Sequence, residues 1–418
     1  MKQITIQSMC DTKTHDVAKT VAQILQLERE GCDLVRVAIP DIKSAKAIKK
    51  IKAKIHIPLI ADIHFDPDLA IEAIKNGADK IRINPGNILG PKGLQNKKAI
   101  QKLKEIIKAA RKAKTSAATK LFNPGKTGIP IRIGINSGSL EQSLIDKYKG
   151  PTSEALVESA LSWIKFFESQ NFRNLVISIK STDVNTTIEA NELLFKAMQK
   201  RAKYKKIPRS SGQKSARADF LASAHASATR VCLTARIYPI HLGVTEAGPL
   251  IPGAIRNAVA LGHLLRKGIG DTIRISLTET LIKEVKVAKE LLKSLGLYNK
   301  EPIIISCPTC ARTEINLKKL VKEIEKEIWK LSRTNFSVDL SKNPVSSKIR
   351  NQKFGKHQPK PLKIAVMGCV VNGPGEAREA DFAICGGKNS GAIYKKGKFI
   401  KSVPEKLLVK EFIKLINT

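Results

Sequence analysis

Aromatic residues are scarce in this chain: 5% of its 418 positions, with two tryptophans and five tyrosines. Aliphatic side chains must therefore fill the core, and the stacking platforms that hold single-stranded nucleic acid are few. Acidic residues are scarce as well, 37 Asp and Glu against 74 Lys and Arg, which leaves a formal net charge of +37. No apolar run is long enough to cross a bilayer. Seven cysteines at uneven spacing do not form a secreted disulfide framework, and in a reducing compartment they read as thiols or metal ligands. The opening residues MKQITIQSMC run directly into a strand pattern with no signal or transit segment, so the expected location is cytoplasmic.

What is present is ordinary for a folded chain, with 42% hydrophobic and 27% charged residues. The length suggests two or three domains. The positive excess attracts polyanions and acidic partners, and nucleic acid is the reflex candidate. The lysines, however, are spread over helical segments that keep periodic apolar faces, as at Ile100, Leu103, Ile106 and Ile107. They read first as a solvated surface, and nucleic acid is not expected as a partner.

Apolar runs of strand length alternate with amphipathic helical segments as far as about residue 296. Strands are expected at 4–7, 34–38, 58–62, 80–84, 130–135, 175–180, 239–244 and 272–276. Each is followed by a helix, at about 16–30, 43–52, 67–76, 97–113, 153–169, 186–200, 253–267 and 279–295. Eight strand–helix units predict an α/β fold closed as a (β/α)8 TIM barrel, with an open doubly wound sheet as the alternative. The remainder reads as a smaller α+β domain, with strands at 302–306, 363–367, 380–384, 392–394 and 399–401 and helices at 314–331 and 405–416. The division is 1–298 for the barrel and 299–418 for the second domain. Basic stretches at about 203–236 and 332–361 interrupt the pattern and read as surface insertions.

Three constellations carry chemistry. In Cys307–Pro308–Thr309–Cys310, the two-residue spacing lets both thiolates reach one metal, as in zinc sites, iron–sulfur sites and redox pairs. In Gly368–Cys369–Val370–Val371–Asn372–Gly373–Pro374–Gly375–Glu376, a strand-end cysteine precedes a Gly/Pro/Asn turn that presents amides and a carboxylate, and Gly373 and Gly375 permit close approach to a cofactor. Three cysteines at two strand ends favour a shared metal over a redox disulfide. No obvious fourth Cys or His completes a zinc site: Cys385 lies in an apolar strand pattern and reads as core, and His357 lies in an insertion. That leaves a carboxylate such as Glu376, or an open position, and tilts the reading from zinc toward a cluster. The third constellation is a set of polar residues at expected strand ends: Arg36, Asp62, His64, Arg82, Asn84, Arg132, Asn136, Lys180, His241 and Glu246. Arg36, Arg82, Arg132 and Lys180 come from four strands and suit a compact phosphate or diphosphate, unless some of them pair with Asp62, Glu141 or Glu246.

These segments resemble the 4-hydroxy-3-methylbut-2-en-1-yl diphosphate synthases. The resemblance runs in order through QSM (7–9), VRVAIP (35–40), PLIADIHFD (58–66), RINPGNI (82–88), IPIRIGINSGSLE (129–141), SIKSTDV (178–184), HLGVTEAG (241–248), GIGDTIRISLT (268–278), SCPTCART (306–313) and GCVVNGPGEA (368–377). It departs at Cys10–Asp11, where the family usually has Thr–Asn, and at 249–252, where a basic residue is often found. The resemblance implies a TIM barrel followed by a cluster domain. It implies a [4Fe–4S] cluster held by Cys307, Cys310, Cys369 and Glu376. It implies a homodimer in which one subunit's cluster faces the other's barrel mouth. The implied reaction is the two-electron reductive ring opening and dehydration of 2-C-methyl-D-erythritol 2,4-cyclodiphosphate, with electrons from ferredoxin or flavodoxin. Glu376 is then the candidate catalytic acid, and Arg36, Arg82, Arg132, Asn136, Lys180, His241 and Asn372 are candidate substrate contacts. A zinc-bearing nucleic-acid binder and a metal-free phosphate-binding barrel are the competing classes.

Overall fold

The computed structural model describes residues 3–89, 96–114, 128–203, 237–334 and 361–417. The two expected insertions therefore lie outside the described residues, apart from 203, 332–334 and 361. The described chain divides into two compact units, with the boundary between Leu291 and Leu292.

The first unit is a barrel of eight parallel strands: β1 Thr5–Met9, β2 Leu34–Ile39, β3 Leu59–Ile63, β4 Lys80–Ile83, β5 Ile131–Asn136, β6 Leu175–Lys180, β7 His241–Leu242 and β8 Thr272–Ile273. They are ordered β6-β5-β4-β3-β2-β1-β8-β7. A parallel bridge from Ile177 to Ile240, with the Ile177 amide donating to the Pro239 carbonyl at 2.9 Å, brings β6 against the β7 edge and nearly closes the cylinder. The strands β7 and β8 are shorter than the sequence suggests. Pairing ends where Gly243 passes against the Lys180 ammonium and the Arg274 carbonyl.

Helices follow the strands: α1 Val17–Arg29, α2 Ile42–Lys52, α3 Pro67–Lys75, α4 Pro85–Leu89, α5 Lys97–Lys112, α6 Gln142–Tyr148, α7 Ser153–Ser169, α8 Val184–Lys203, α9 Leu250–Arg266 and α10 Leu281–Ser294. Their starts are written locally. The side chains of Asp16, Asp41, Asp66, Asn96 and Thr152 each accept a first-turn amide of the helix that follows. Helices α4 and α6 lie in strand–helix connections where the sequence pattern showed only loop.

The second unit holds a mixed sheet of β9 Ile303–Ser306, β10 Lys363–Met367, β11 Phe382–Gly387, β12 Ser390–Lys395 and β13 Lys398–Pro404, in the order β13-β12-β11-β10-β9. Strands β9, β10 and β11 run parallel, and β12 and β13 return antiparallel. Among the described residues, three α-helices complete it: α11 Leu317–Thr334, α12 Gly373–Arg378 and α13 Leu408–Asn417. Strand alternation gives the sheet two apolar faces. Ile364, Val366, Ile384 and Ile393 pack with Leu320, Ile324 and Ile328 of α11 and with Leu408 and Phe412 of α13. Ala365, Met367, Ala383 and Cys385 pack instead with Ala377 and Ala380. Among the described residues, no helix is long and apolar enough to cross a membrane.

Candidate active site: a cation-lined barrel and a cysteine loop

TIM-barrel interiors are ordinarily filled by branched aliphatic side chains. This one is not. In β4 and β5, isoleucine alternates with Lys80 and Arg82, and with Arg132, Gly134 and Asn136. Arg132 Nη1 donates to Gln7 Oε1 at 2.6 Å. Since β4, β3 and β2 stand between β5 and β1 in the sheet, that bond crosses the lumen. The polar residues of the alternation therefore face inward.

Arg82 Nη1 and Arg36 Nε approach the two oxygens of the buried Asp62 carboxylate at 3.2 and 3.6 Å. Arg82 Nη2 also donates to the Gly134 carbonyl at 3.4 Å. Burial alone would raise the Asp62 carboxyl, but the charges of Arg36, Arg82 and Arg132 outweigh it and hold the group below the usual aspartate range. Arg274 Nη2 lies 3.4 Å from Glu284 Oε1 of α10. Burial raises the Glu284 carboxyl against the pull of Arg274. Glu141, weighed above as a partner for these cations, is held elsewhere. It accepts from Ser159 Oγ at 2.9 Å and from Trp163 Nε1 at 2.7 Å on α7. Glu246 is exposed, in a left-handed loop conformation with φ 52°.

The result is a set of cations with few carboxylates, in which the buried Arg82, Arg132 and Lys180 and the half-buried Arg36 and Arg274 share Asp62 and Glu284. Burial lowers Arg36 to about 10, and it lowers Arg132 and Lys180 well below their ordinary values, with repulsion from neighbouring arginines adding to the effect. His241 is buried, and desolvation followed by repulsion from Arg132, Lys180 and Arg36 keeps its ring neutral. Arg132 Nη2, Arg274 Nε, Gln7 Nε2 and both His241 ring nitrogens are buried and have no hydrogen-bond partner. Each unpaired buried donor costs about 1–3 kcal/mol. The lumen is thus set up for a ligand rich in acceptor oxygens and negative charge. Asn84 ties two loops together by donating to Ser139 Oγ at 2.7 Å, while Asn136 ends β5 half-buried.

In the second unit, Ser306 of β9 stands opposite Val366 of β10 in parallel register. Cys307 and Cys310 leave one strand end, and Cys369 leaves the neighbouring one. The Gly368 amide donates to Cys307 Sγ at 3.2 Å and joins the two loops. Cys369 is buried, Cys307 half-buried and Cys310 exposed. Hydrogen bonds from the Arg312 amide and side chain, with Thr313 beside them, lower the Cys310 thiol. The Gly/Pro/Asn segment is not an irregular turn but the short helix α12. Pro374 stands in its opening positions and Glu376 in its exposed first turn, where the Glu376 amide donates to the Asn372 carbonyl at 3.1 Å. Asn372 is also exposed.

Residues 1–289 match the GcpE TIM-barrel domain and residues 303–418 match the GcpE protein C-terminal domain. The chain belongs to the GcpE family. A GcpE relative in Caldicellulosiruptor saccharolyticus, the 4-hydroxy-3-methylbut-2-en-1-yl diphosphate synthase (flavodoxin), is 46% identical over 413 residues, covering 99% of this chain and 93% of that protein. The enzyme of the same name in Bacillus subtilis is 42% identical over 415 residues, covering 99% of this chain and 87% of that one. Among solved structures, a dihydropteroate synthase from Xanthomonas albilineans is 12% identical, with a TM-score of 0.38, over 70% of this chain and 92% of its own; a likeness at that score carries no argument.

Within this GcpE chain, some assignments change. Gly373 was expected to admit a cofactor, but a Cβ there would stand 2.7 Å from Cys385 Sγ, so the glycine serves packing. Cys385 itself is buried in the alanine-lined core and its thiol is pushed up to about 12 by burial. Among the described residues, no three Cys, His, Asp or Glu side chains converge closely enough for a single metal ion. A cluster requires less convergence, because its thiolates bind different irons and their sulfurs stay apart. Three thiols at adjacent strand ends, one already accepting an amide N–H, suit such a group better than a lone ion. Lys80, Gln7, Arg274 and Glu284 were not singled out from sequence. Polar residues at every second position from Lys80 to Asn84 were the available signal for Lys80. His357 lies outside the described residues.

Proposed function

We propose that this chain converts 2-C-methyl-D-erythritol 2,4-cyclodiphosphate to (E)-4-hydroxy-3-methylbut-2-en-1-yl diphosphate. The ring C–O bond to phosphate breaks, a hydroxyl leaves as water, and two electrons with two protons balance the change. The observation that carries the reading is the buried cation set around Arg132 in a chain 46% identical to an enzyme named for that product. Arg36, Arg82, Arg132 and Lys180 would grip the diphosphate, and desolvation would make each contact stronger than it is in water. The same cations would stabilise the negative charge that accumulates on phosphate as the ring opens. Neutral His241 could donate from one ring nitrogen and accept at the other, while Asn136 and Asn372 orient the hydroxyl groups of the carbon skeleton.

Cys307, Cys310, Cys369 and Glu376 would hold a [4Fe–4S] cluster, which when bound supplies single electrons and a Lewis-acidic iron that side chains lack. Glu376, exposed on α12, would deliver a proton to the departing hydroxyl oxygen only when released from ligation and protonated, since a ligating carboxylate carries no proton. The proposal assigns the barrel to substrate and the C-terminal unit to the cluster. It includes a flavodoxin-type electron donor, as the relatives' names suggest, and a homodimer, as the family resemblance implies.

Anaerobic purification with optical and EPR spectroscopy tests this directly. Wild-type protein should carry iron and sulfide, change its spectrum when the cyclodiphosphate is added, and turn over with a chemical reductant. Cys369→Ala should lose the iron. A colourless, iron-free protein that remains active would sink the reading.

A further inference from the structure

The sequence leaves a net charge of +37 without a use, and one helix of the C-terminal unit offers one. Leu317, Leu320, Ile324 and Ile328 of α11 are buried against the sheet. At about 3.6 residues per turn, Lys318, Lys322 and Lys326 then fall in a row on the exposed side, roughly 12 Å long at about 1.5 Å per residue. Lys319 lies beside them, and the four lysines with Glu323 line a shallow surface groove. Trp329, 37% exposed, continues the same side.

The acids of the helix do little to neutralise this row. Glu323 approaches Lys319 only at 3.9 Å, Glu327 is engaged by Lys330 at 2.6 Å, and the exposed Glu325 forms no ion pair among the described residues. Lys318, Lys322 and Lys326 form no ion pair among the described residues. Like charges four apart on a helix repel by about 0.2–0.5 kcal/mol per pair. On the lysine-rich barrel helix α5, Lys102 pairs with Asp68 at 2.8 Å, but the exposed Lys97, Lys104 and Lys108 form no ion pair among the described residues, so what sets the α11 row apart is its place beside the cysteine loops. Nothing in the α11 row is built for a small anion, because the lysines are exposed and no buried polar group stands among them. An extended acidic surface fits it better. The row also starts close to the cysteines: α11 opens soon after Cys310, and Leu317 Cδ2 lies 3.3 Å from where a Gly368 Cβ would stand, one residue before Cys369.

We infer that the lysine row of α11 is the docking surface for the protein that delivers electrons, an acidic carrier of the flavodoxin class. The inference rests on the activity proposed above. Docking there brings the donor's acidic face to the helix that begins beside the cysteine loops. Complementary charge of this kind acts mainly on encounter and therefore fades with salt.

The test is the full-length, cluster-reconstituted protein carrying Lys318→Glu, Lys322→Glu and Lys326→Glu together. Binding of flavodoxin is measured by titration at low and moderate salt, and turnover is measured with flavodoxin and with reduced methyl viologen. The expected result is a flavodoxin Kd weakened about tenfold or more, with its salt dependence reduced and viologen-driven turnover within about twofold of wild type. A milder set, Lys→Gln at the same three positions, should show the same direction and guards against a folding defect. The matching reversal on α5, Lys97→Glu with Lys104→Glu and Lys108→Glu, should leave flavodoxin binding unchanged. Equal losses from both helices would mean net charge alone and would overturn the inference. So would an unchanged Kd in the α11 variants, or wild-type binding to duplex DNA as tight as to flavodoxin. Wild-type protein that binds flavodoxin but turns over with neither reductant would overturn the activity reading instead, and its Kd would still decide the docking surface.

Discussion

Asp62 shows how one residue holds a cationic interior together. It accepts from Arg82 and faces Arg36, and both guanidinium groups are largely buried. Removing one partner of such a set leaves uncompensated charge, which costs about 3–5 kcal/mol. Asp62→Asn should therefore lower the denaturant midpoint of the barrel at pH 7. Because the folded carboxyl is held below its ordinary value of about 4, its contribution is present above that pH and lost as pH falls through the folded value. The stabilities of wild type and variant should then converge in acid, and a gap at pH 7 of under about 1 kcal/mol would count against the pairing. His241 acts in a different window. Its folded ring stays neutral while the unfolded ring takes up a proton below about pH 6.5. Stability should thus fall as pH drops from about 6.5 toward 5, by at most about 1.4 kcal/mol per pH unit. Denaturation of His241→Gln across that range should show a flatter profile; an unchanged slope would mean that the ring titrates in the folded protein.

At the level of elements, the cysteine loops depend on what lies beneath them. Helix α12 sits over Cys385 because Gly373 has no Cβ. Gly373→Ala should force α12 off the sheet and release iron, although the residue binds none. Cys385→Ala removes a buried sulfur and should cost about 1 kcal/mol while iron content, read by a colorimetric iron assay, stays at the wild-type level. Loss of iron from Cys385→Ala would instead make Cys385 a ligand. The contrast also shows what sequence can carry. Strand–helix alternation over the first unit is legible because each element repeats a local period, and Asp and Asn caps mark the helix starts. The position of Cys307, Cys310 and Cys369 at strand ends is legible because each of the two loops that carry them follows an apolar strand pattern directly. The function of Gly373 was not legible, because its reason is a sulfur twelve residues away. Nor was the inward direction of Arg132, whose partner Gln7 is on the far side of the lumen. The difference between a strand's rim and its interior is set by closure of the barrel, which no local window contains.

For the whole molecule, the division near Leu291 means two compact units, each built on its own sheet. The first unit encloses largely buried cations, and the second carries thiols at two neighbouring strand ends. With the roles proposed for them, these features take different ligands and should separate in solution. A ligand that binds only folded protein stabilises by about 2.7 kcal/mol at a hundred times its Kd. Calorimetry on the full-length protein should therefore resolve two transitions. Inorganic pyrophosphate should raise the one belonging to the barrel, because the unpaired donors of Arg132, Arg274 and His241 gain acceptors. Anaerobic reconstitution with iron and sulfide should raise the other and leave the first in place. Assignment follows from Arg132→Met, which should abolish the pyrophosphate shift, and from Cys369→Ala, which should abolish the shift on reconstitution. If Arg132→Met responds to pyrophosphate as wild type does, the cations of the barrel do not bind phosphate oxygens. If iron and sulfide move both transitions together, the two units unfold as one cooperative body and the separation of roles between them fails.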